Sequence, residues 1–176
     1  ARADYNDSTS DWATINVPHD SLIANPVSFE LCPEGCAGRS YIPRYASWYR
    51  KRFRLPAAWD DGSIIYLQFD GIFRETTLWL NGVNTSSHIS GYTSFSMRID
   101  RTPGLKYGGA PNVLAIYDDP DSGRTGWWYE GSGLYRHVRL IKTSPLNIAP
   151  DGLFVYSNIT QIEGGNGDLT AAATVH

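Results

Sequence analysis

The chain has one methionine and two cysteines in 176 residues, and no apolar run approaches the length that crosses a bilayer. A membrane-spanning helix is therefore excluded, and a soluble domain with no membrane partner is expected. Charge of one sign is also missing. Fifteen Lys and Arg against eighteen Asp and Glu leave a net charge of −3, with no basic stripe, so nucleic acid is not an expected partner. Sustained apolar spacing at three and four residues is absent over any helical length, which argues against a helical fold. What the chain does have is seventeen glycines, ten prolines and twenty-three aromatic residues (6 Trp, 11 Tyr, 6 Phe). That mixture suits many short strands joined by turns. One sizeable domain with a real core fits the length, with room for part of a second.

Strand signals become regular after the first 45 residues. Trp48–Leu55 alternates Tyr49, Phe53 and Leu55 against Arg50, Arg52 and Arg54, the pattern of a half-buried strand. Ile64–Phe69 follows with Ile65, Leu67 and Phe69 on one face, and then Thr76–Leu80, closed by the hairpin dipeptide Asn81-Gly82. Phe95, Met97 and Ile99 alternate in the next strand. Val113–Tyr117 is a nearly continuous apolar run and predicts a strand covered on both faces. Leu134–Ile141 predicts another, with Leu134, Val138 and Leu140 sharing a face. Six or more strands between turns give an all-β, two-sheet sandwich. Past Ser144-Pro145, Ile148–Gly152 reads as a linker, while Leu153–Ser157 and Leu169–Val175 read as strands. Two strands make a hairpin and not a domain. The expected division is thus residues 1–145 and residues 146–176, the latter the opening of an incomplete second β-domain.

The segment most able to carry chemistry is Gly126-Trp-Trp-Tyr-Glu-Gly-Ser-Gly-Leu-Tyr-Arg136. It sets three adjacent aromatics beside a carboxylate. An aromatic face takes the apolar side of a sugar ring while polar groups take its hydroxyls. A buried sandwich corner, with glycines for the tight turns, accounts for the same residues. The carbohydrate-contact candidates are Trp127, Trp128, Tyr129, Glu130, Arg124 and Asp119. Glu130 has no obvious carboxylate partner. An ion pair with Arg124 or Arg136 is the simpler expectation, so no catalytic residue is assigned. Asp118, Asp119 and Asp121 could share a Ca²⁺, yet a solvated turn explains them more simply, and neither metal nor cofactor is expected. Gly131-Ser132-Gly133 lacks the spacing of a nucleophile elbow. His19, His88, His137 and His176 are dispersed and form no ligand pair.

Cys32 and Cys36 flank a Pro-Glu-Gly turn, where a short-loop disulfide and a pair of free thiols are both open. Asn6, Asn84 and Asn158 each begin a glycosylation sequon. A secreted or lysosomal location is expected on these grounds. The chain starts at Ala1 with no signal peptide, as a processed or excerpted sequence would.

Seven landmarks occur in a familiar order. Asp11-Trp-Ala-Thr-Ile-Asn-Val-Pro-His-Asp20, Trp48-Tyr-Arg-Lys-Arg-Phe53, Phe69-Asp-Gly-Ile72, Thr77-Leu-Trp-Leu-Asn-Gly82, Gly91-Tyr-Thr-Ser-Phe95, Asn112-Val-Leu-Ala-Ile116 and the Gly126–Arg136 loop resemble the N-terminal sugar-binding domain of glycoside hydrolase family 2. The resemblance spans residues 11–145. It implies a jelly-roll sandwich of the galactose-binding-domain type, then an immunoglobulin-like sandwich, then a (β/α)₈ barrel that holds both catalytic glutamates of a retaining hydrolase. Residues 146–176 would be the linker and first strands of the immunoglobulin-like part. The chain itself would carry no catalysis, its partners being a β-glycoside and the remaining domains of a β-galactosidase-like or β-glucuronidase-like parent. A homo-oligomer of the full enzyme is left open, as is the glycoside cut. A free-standing lectin-like module is the alternative. Four departures stand out. Ser47 replaces a usual glycine, and residues 26–45 form a local elaboration. A polar stretch, residues 1–10, replaces the usual first strand. Trp127 stands where β-galactosidases place an aspartate that organises a metal and the sugar.

Overall fold

The computed structural model describes Ser8 and residues 11–31, 41–120, 128–163 and 166–175, with side chains through Tyr156. The chain divides into two compact units, Ala1–Lys142 and Thr143–His176. Among the described residues the first holds β1 (Ser47–Phe53), β2 (Ile64–Phe69), β3 (Glu75–Leu80), β4 (Val83–His88), β5 (Phe95–Arg98), β6 (Asn112–Asp119) and β7 (Val138–Thr143), with one 3₁₀ turn at Ala57–Trp59. The second holds β8 (Leu153–Glu163) and β9 (Asn166–Val175).

Alternation dictates the sandwich. One sheet has the order β1-β6-β3-β4 and the other β5-β2-β7. β1 and β3 both pair antiparallel with β6, and β2 pairs antiparallel with β5. Inward-facing residues of both sheets meet in one core: Leu78, Leu80, Leu114 and Ile116 from the first, Ile65, Leu67, Phe69 and Met97 from the second. Every second residue of β2 is buried, as a strand with one face on the core requires. The stacked rings of Phe69 and Phe95, 4.9 Å apart, fill the end of this core beside His88. The arrangement is the all-β jelly-roll type of sandwich that the sequence predicts.

The expected strands at 64–69, 76–80, 95–99 and 113–117 are all present, and β6 is covered on both faces through Val113–Ile116. Two boundaries differ from expectation. β4 has no apolar alternation because it is an edge strand, paired among the described residues only to β3, and a polar Val-Asn-Thr-Ser-Ser-His sequence suits that position. β7 starts at Val138 and not at Leu134. The backbone between them is committed elsewhere: Leu134 O accepts from His19 N, and His137 O accepts from Asp70 N. Leu134 is still buried and Leu140 is partly exposed, yet both line one cavity with Val138, Leu67, Leu114 and Ile116, so they share the inner face as expected.

The Asn81-Gly82 turn closes the β3–β4 hairpin with φ of 52° and 86°, the left-handed pair that a two-residue hairpin turn needs. Asn81 has a second task. Its Nδ2 donates to Asn112 Oδ1 (2.8 Å) and its Oδ1 accepts from Val113 N (2.8 Å). Fully buried Asn112 also accepts from Lys106 N and donates to Lys106 O, at 2.9 and 2.7 Å. The hairpin turn, the 104–111 loop and the start of β6 are thus held by two amides. Asn112→Ala strands several of these groups away from water. Urea denaturation should show about 2 kcal/mol of lost stability, and a loss under about 0.5 kcal/mol would mean that the network is not needed.

Candidate functional site

Asp118 lies near the end of β6 and faces inward, fully buried. Its Oδ2 accepts from Ser132 Oγ and from Gly133 N, both at 2.9 Å, and its Oδ1 from Thr76 Oγ1 at 3.3 Å. Burial pushes this carboxyl up to about 7 from an ordinary 3.8, outweighing the three hydrogen bonds that pull the other way. Its side chain therefore serves as the anchor of the Gly131-Ser132-Gly133 stretch. Gly133 bridges to Phe73 through backbone hydrogen bonds in both directions. Its φ is 95°, and a Cβ there would run into the Tyr49 hydroxyl, so only glycine fits.

A second carboxylate holds the same stretch from the other side. Asp20 Oδ1 accepts from Ser132 N (3.2 Å) and Leu22 N (2.9 Å), and its Oδ2 accepts from the Tyr129 hydroxyl (2.7 Å). Burial and this contact with Asp20 raise the Tyr129 phenol well above its usual value. His19 joins the cradle by pairing its Nδ1 with the buried Tyr49 hydroxyl at 3.0 Å. Burial pushes that phenol up to about 12. The Pro-His-Asp phrase of the sequence is thus the seat of the aromatic loop.

Glu130 is ion-paired, as expected, but its partner is Arg44. The Arg44 Nη2–Glu130 Oε2 distance is 2.9 Å, with only 4% and 9% of the two side chains exposed. Of the two partners expected from the sequence, Arg124 lies outside the described residues, and Arg136 donates instead through Nη1 to the carbonyls of Asp70 (3.2 Å) and Tyr92 (3.3 Å). Arg44 lies 86 residues from Glu130, so proximity in sequence could not find it. The other Glu130 oxygen accepts from the Tyr92 hydroxyl at 3.1 Å.

Tyr92 was not among the sequence candidates, yet its hydroxyl joins it to the loop through Glu130. Its ring packs edge-on against buried Phe73, 5.5 Å between centroids, and 59% of the residue is exposed. Trp128 is 63% exposed. The loop is therefore divided. Tyr129 and Glu130 are partly buried and hydrogen-bonded, Gly131–Leu134 is buried, and Trp128 reaches solvent. Asp119, also partly buried, follows the anchor in β6 and pairs in register with Glu75. Trp127, Arg124 and Asp121 lie outside the described residues, as do Cys32, Cys36 and Asn6. Asn84 is exposed on β4, and Asn158 lies in β8. Among the described residues no group of three or more His, Cys, Asp or Glu side chains is placed to hold a metal. No helix among them is long and apolar enough to cross a membrane.

The raised Asp118 pKa fixes a sign. In the unfolded chain this group ionises near 3.8, and in the folded chain near 7. Its contribution to stability is complete below the lower value and declines as pH rises through the upper one. Asp118→Asn keeps an acceptor for Ser132 and Gly133, can donate to Thr76, and cannot ionise. Thermal melts from pH 4 to pH 8 should show the parent losing stability relative to this variant by a few kcal/mol. Parallel curves would mean that Asp118 is ionised in the folded chain throughout.

No protein-family profile matches the chain. Curated relatives do. The β-galactosidase BoGH2A of Bacteroides ovatus is 38% identical over 146 residues, covering 83% of this chain and 16% of that protein. Among solved structures, a β-glycosidase from Bacteroides vulgatus superposes with a TM-score of 0.77 at 30% identity, covering 99% of this chain and 22% of the other. A glycosyl hydrolase family 2 member from Bacteroides cellulosilyticus gives 0.75 at 32% identity, over 90% of this chain and 20% of its own. The chain thus spans about a fifth of the length of these proteins or less. In sequence and fold alike, it is a domain of the glycoside hydrolase family 2 type.

Proposed function

We propose that this chain is the non-catalytic, carbohydrate-binding part of a retaining family 2 glycoside hydrolase, and that its aromatic loop borders the active site of a (β/α)₈ barrel in the parent. The observation that carries this reading is the division of the loop. Trp128 is exposed where a packing residue would be buried, while the residues after it are clamped by Asp118, Asp20 and Arg44. An aromatic face presented on a rigid stalk is how a site takes up the apolar side of a pyranose at low entropic cost. Tyr92, held through Glu130, supplies a second exposed ring, and the two belong to one sugar-contacting edge.

Relatives named β-galactosidase and β-glucuronidase favour a β-linked galactoside or glucuronide as the parent's substrate. The two catalytic glutamates belong to the barrel, so hydrolysis is not expected of this chain alone. We infer that residues 146–176 are the linker and opening strands of an immunoglobulin-like domain. β8 exposes apolar residues on both faces, Leu153 and Val155 on one and Phe154 and Tyr156 on the other, as a strand does before its sheet is covered. The exposed sequon at Asn84 fits a glycoprotein of the secretory route.

Trp128→Ala in the full-length enzyme tests the assignment. We expect kcat/KM on an aryl β-glycoside to fall about tenfold, with the melting temperature unchanged. Unchanged kinetics with a lowered melting temperature would place the ring in packing and overturn the reading.

A further inference from the structure

A second group of aromatics lies on the other face of β6. Alternation that turns Asp118 inward turns Tyr117 outward, and the register sets Trp48, Tyr117 and Thr77 side by side in one row. The adjacent row is Arg50, Ala115, Trp79 and Asn84. Ala115, on the middle strand, is too small to separate the indoles on either side. Trp48 and Trp79 therefore meet across it, 5.3 Å between centroids and tilted by 31°. Trp48 also lies 5.1 Å from the Tyr117 ring. The rings leave Ala115 only 4% exposed although it points away from the core, while Trp48 itself is 45% exposed. A register shift between Leu78 and Trp79 brings Asn84 opposite Trp79, at the rim of this surface.

We propose that the Trp48–Trp79–Tyr117 surface is a binding site for a short β-linked pyranose oligosaccharide. The inference does not depend on the role given to the Trp128 loop. The surface has the two properties such a ligand selects for. It offers a cluster of adjoining aromatic rings that holds the exposed Trp48 indole in place, and it offers hydrogen-bonding side chains, Asn84, Thr77 and Ser87, along one side for the hydroxyls. A folded protein partner needs about 800 Å² of contact on each side. Three partly buried rings ending in polar residues on the edge strand offer far less.

The test uses the 176-residue chain labelled with ¹⁵N, in a Trp128→Ala background so that sugar at that loop does not contribute. Indole N–H resonances are followed during titration with cellotetraose and with β-1,4-galactotetraose. The expected result is a saturable shift of the Trp48 and Trp79 signals by at least one of the two at millimolar concentration, with affinity reduced about tenfold by Trp48→Ala. Trp48→Leu, which keeps bulk without an aromatic face, gives the same readout if the alanine variant does not fold. Absence of shifts with both sugars would overturn the proposal and leave the surface to be covered by other parts of the polypeptide. Unaltered affinity in the Trp48 variants would overturn it too.

Discussion

A carboxyl group shut away from water ties this domain together. Asp118 sits where the central strand of one sheet ends, and the loop that returns toward the other sheet closes over it. A buried carboxyl without partners would cost several kcal/mol. Here Ser132, Gly133 and Thr76 surround it, so the loop can adopt only the path that supplies those donors. That path forces a left-handed residue at Gly133, places Tyr49 against it, and brings Tyr129 to Asp20. The geometry of the exposed aromatics follows from satisfying one acid inside the fold.

Much of the sandwich was legible because alternation is a local property. Ile65, Leu67 and Phe69 declare the inner face of β2 with no knowledge of what they pack against. β4 was announced by its Asn81-Gly82 turn alone and not by alternation, for the converse reason. An edge strand borrows its conformation from β3 and needs no apolar face of its own. The start of β7 was misplaced because Leu134 is apolar and in phase with Val138, while its backbone is hydrogen-bonded to the His19 segment. Periodicity registers side chains and is blind to where a carbonyl goes.

The candidate loop could be singled out from the sequence, but its connections could not. Three aromatics beside a carboxylate drew attention to Gly126–Arg136, and an ion pair for Glu130 followed from elementary electrostatics. Its partner, Arg44, and the supporting Asp20 come from the irregular first 45 residues, where no periodic pattern marks a role. Long-range pairs of this kind are fixed by the fold, and a single sequence contains no record of the distances involved. Tyr92 escaped for the same reason: its importance lies in touching Glu130 across 38 residues.

The fastening of the aromatic loop is lopsided. Its ties fall on Tyr129 through Leu134, and the exposed Trp128 ring stands just ahead of them. Exchanging that side chain for another would disturb few of the contacts that hold the sandwich together, so surface chemistry and folding are nearly uncoupled at this point. Such a scaffold can be given a new surface by changing its tip, in the manner of a tool handle that accepts several heads.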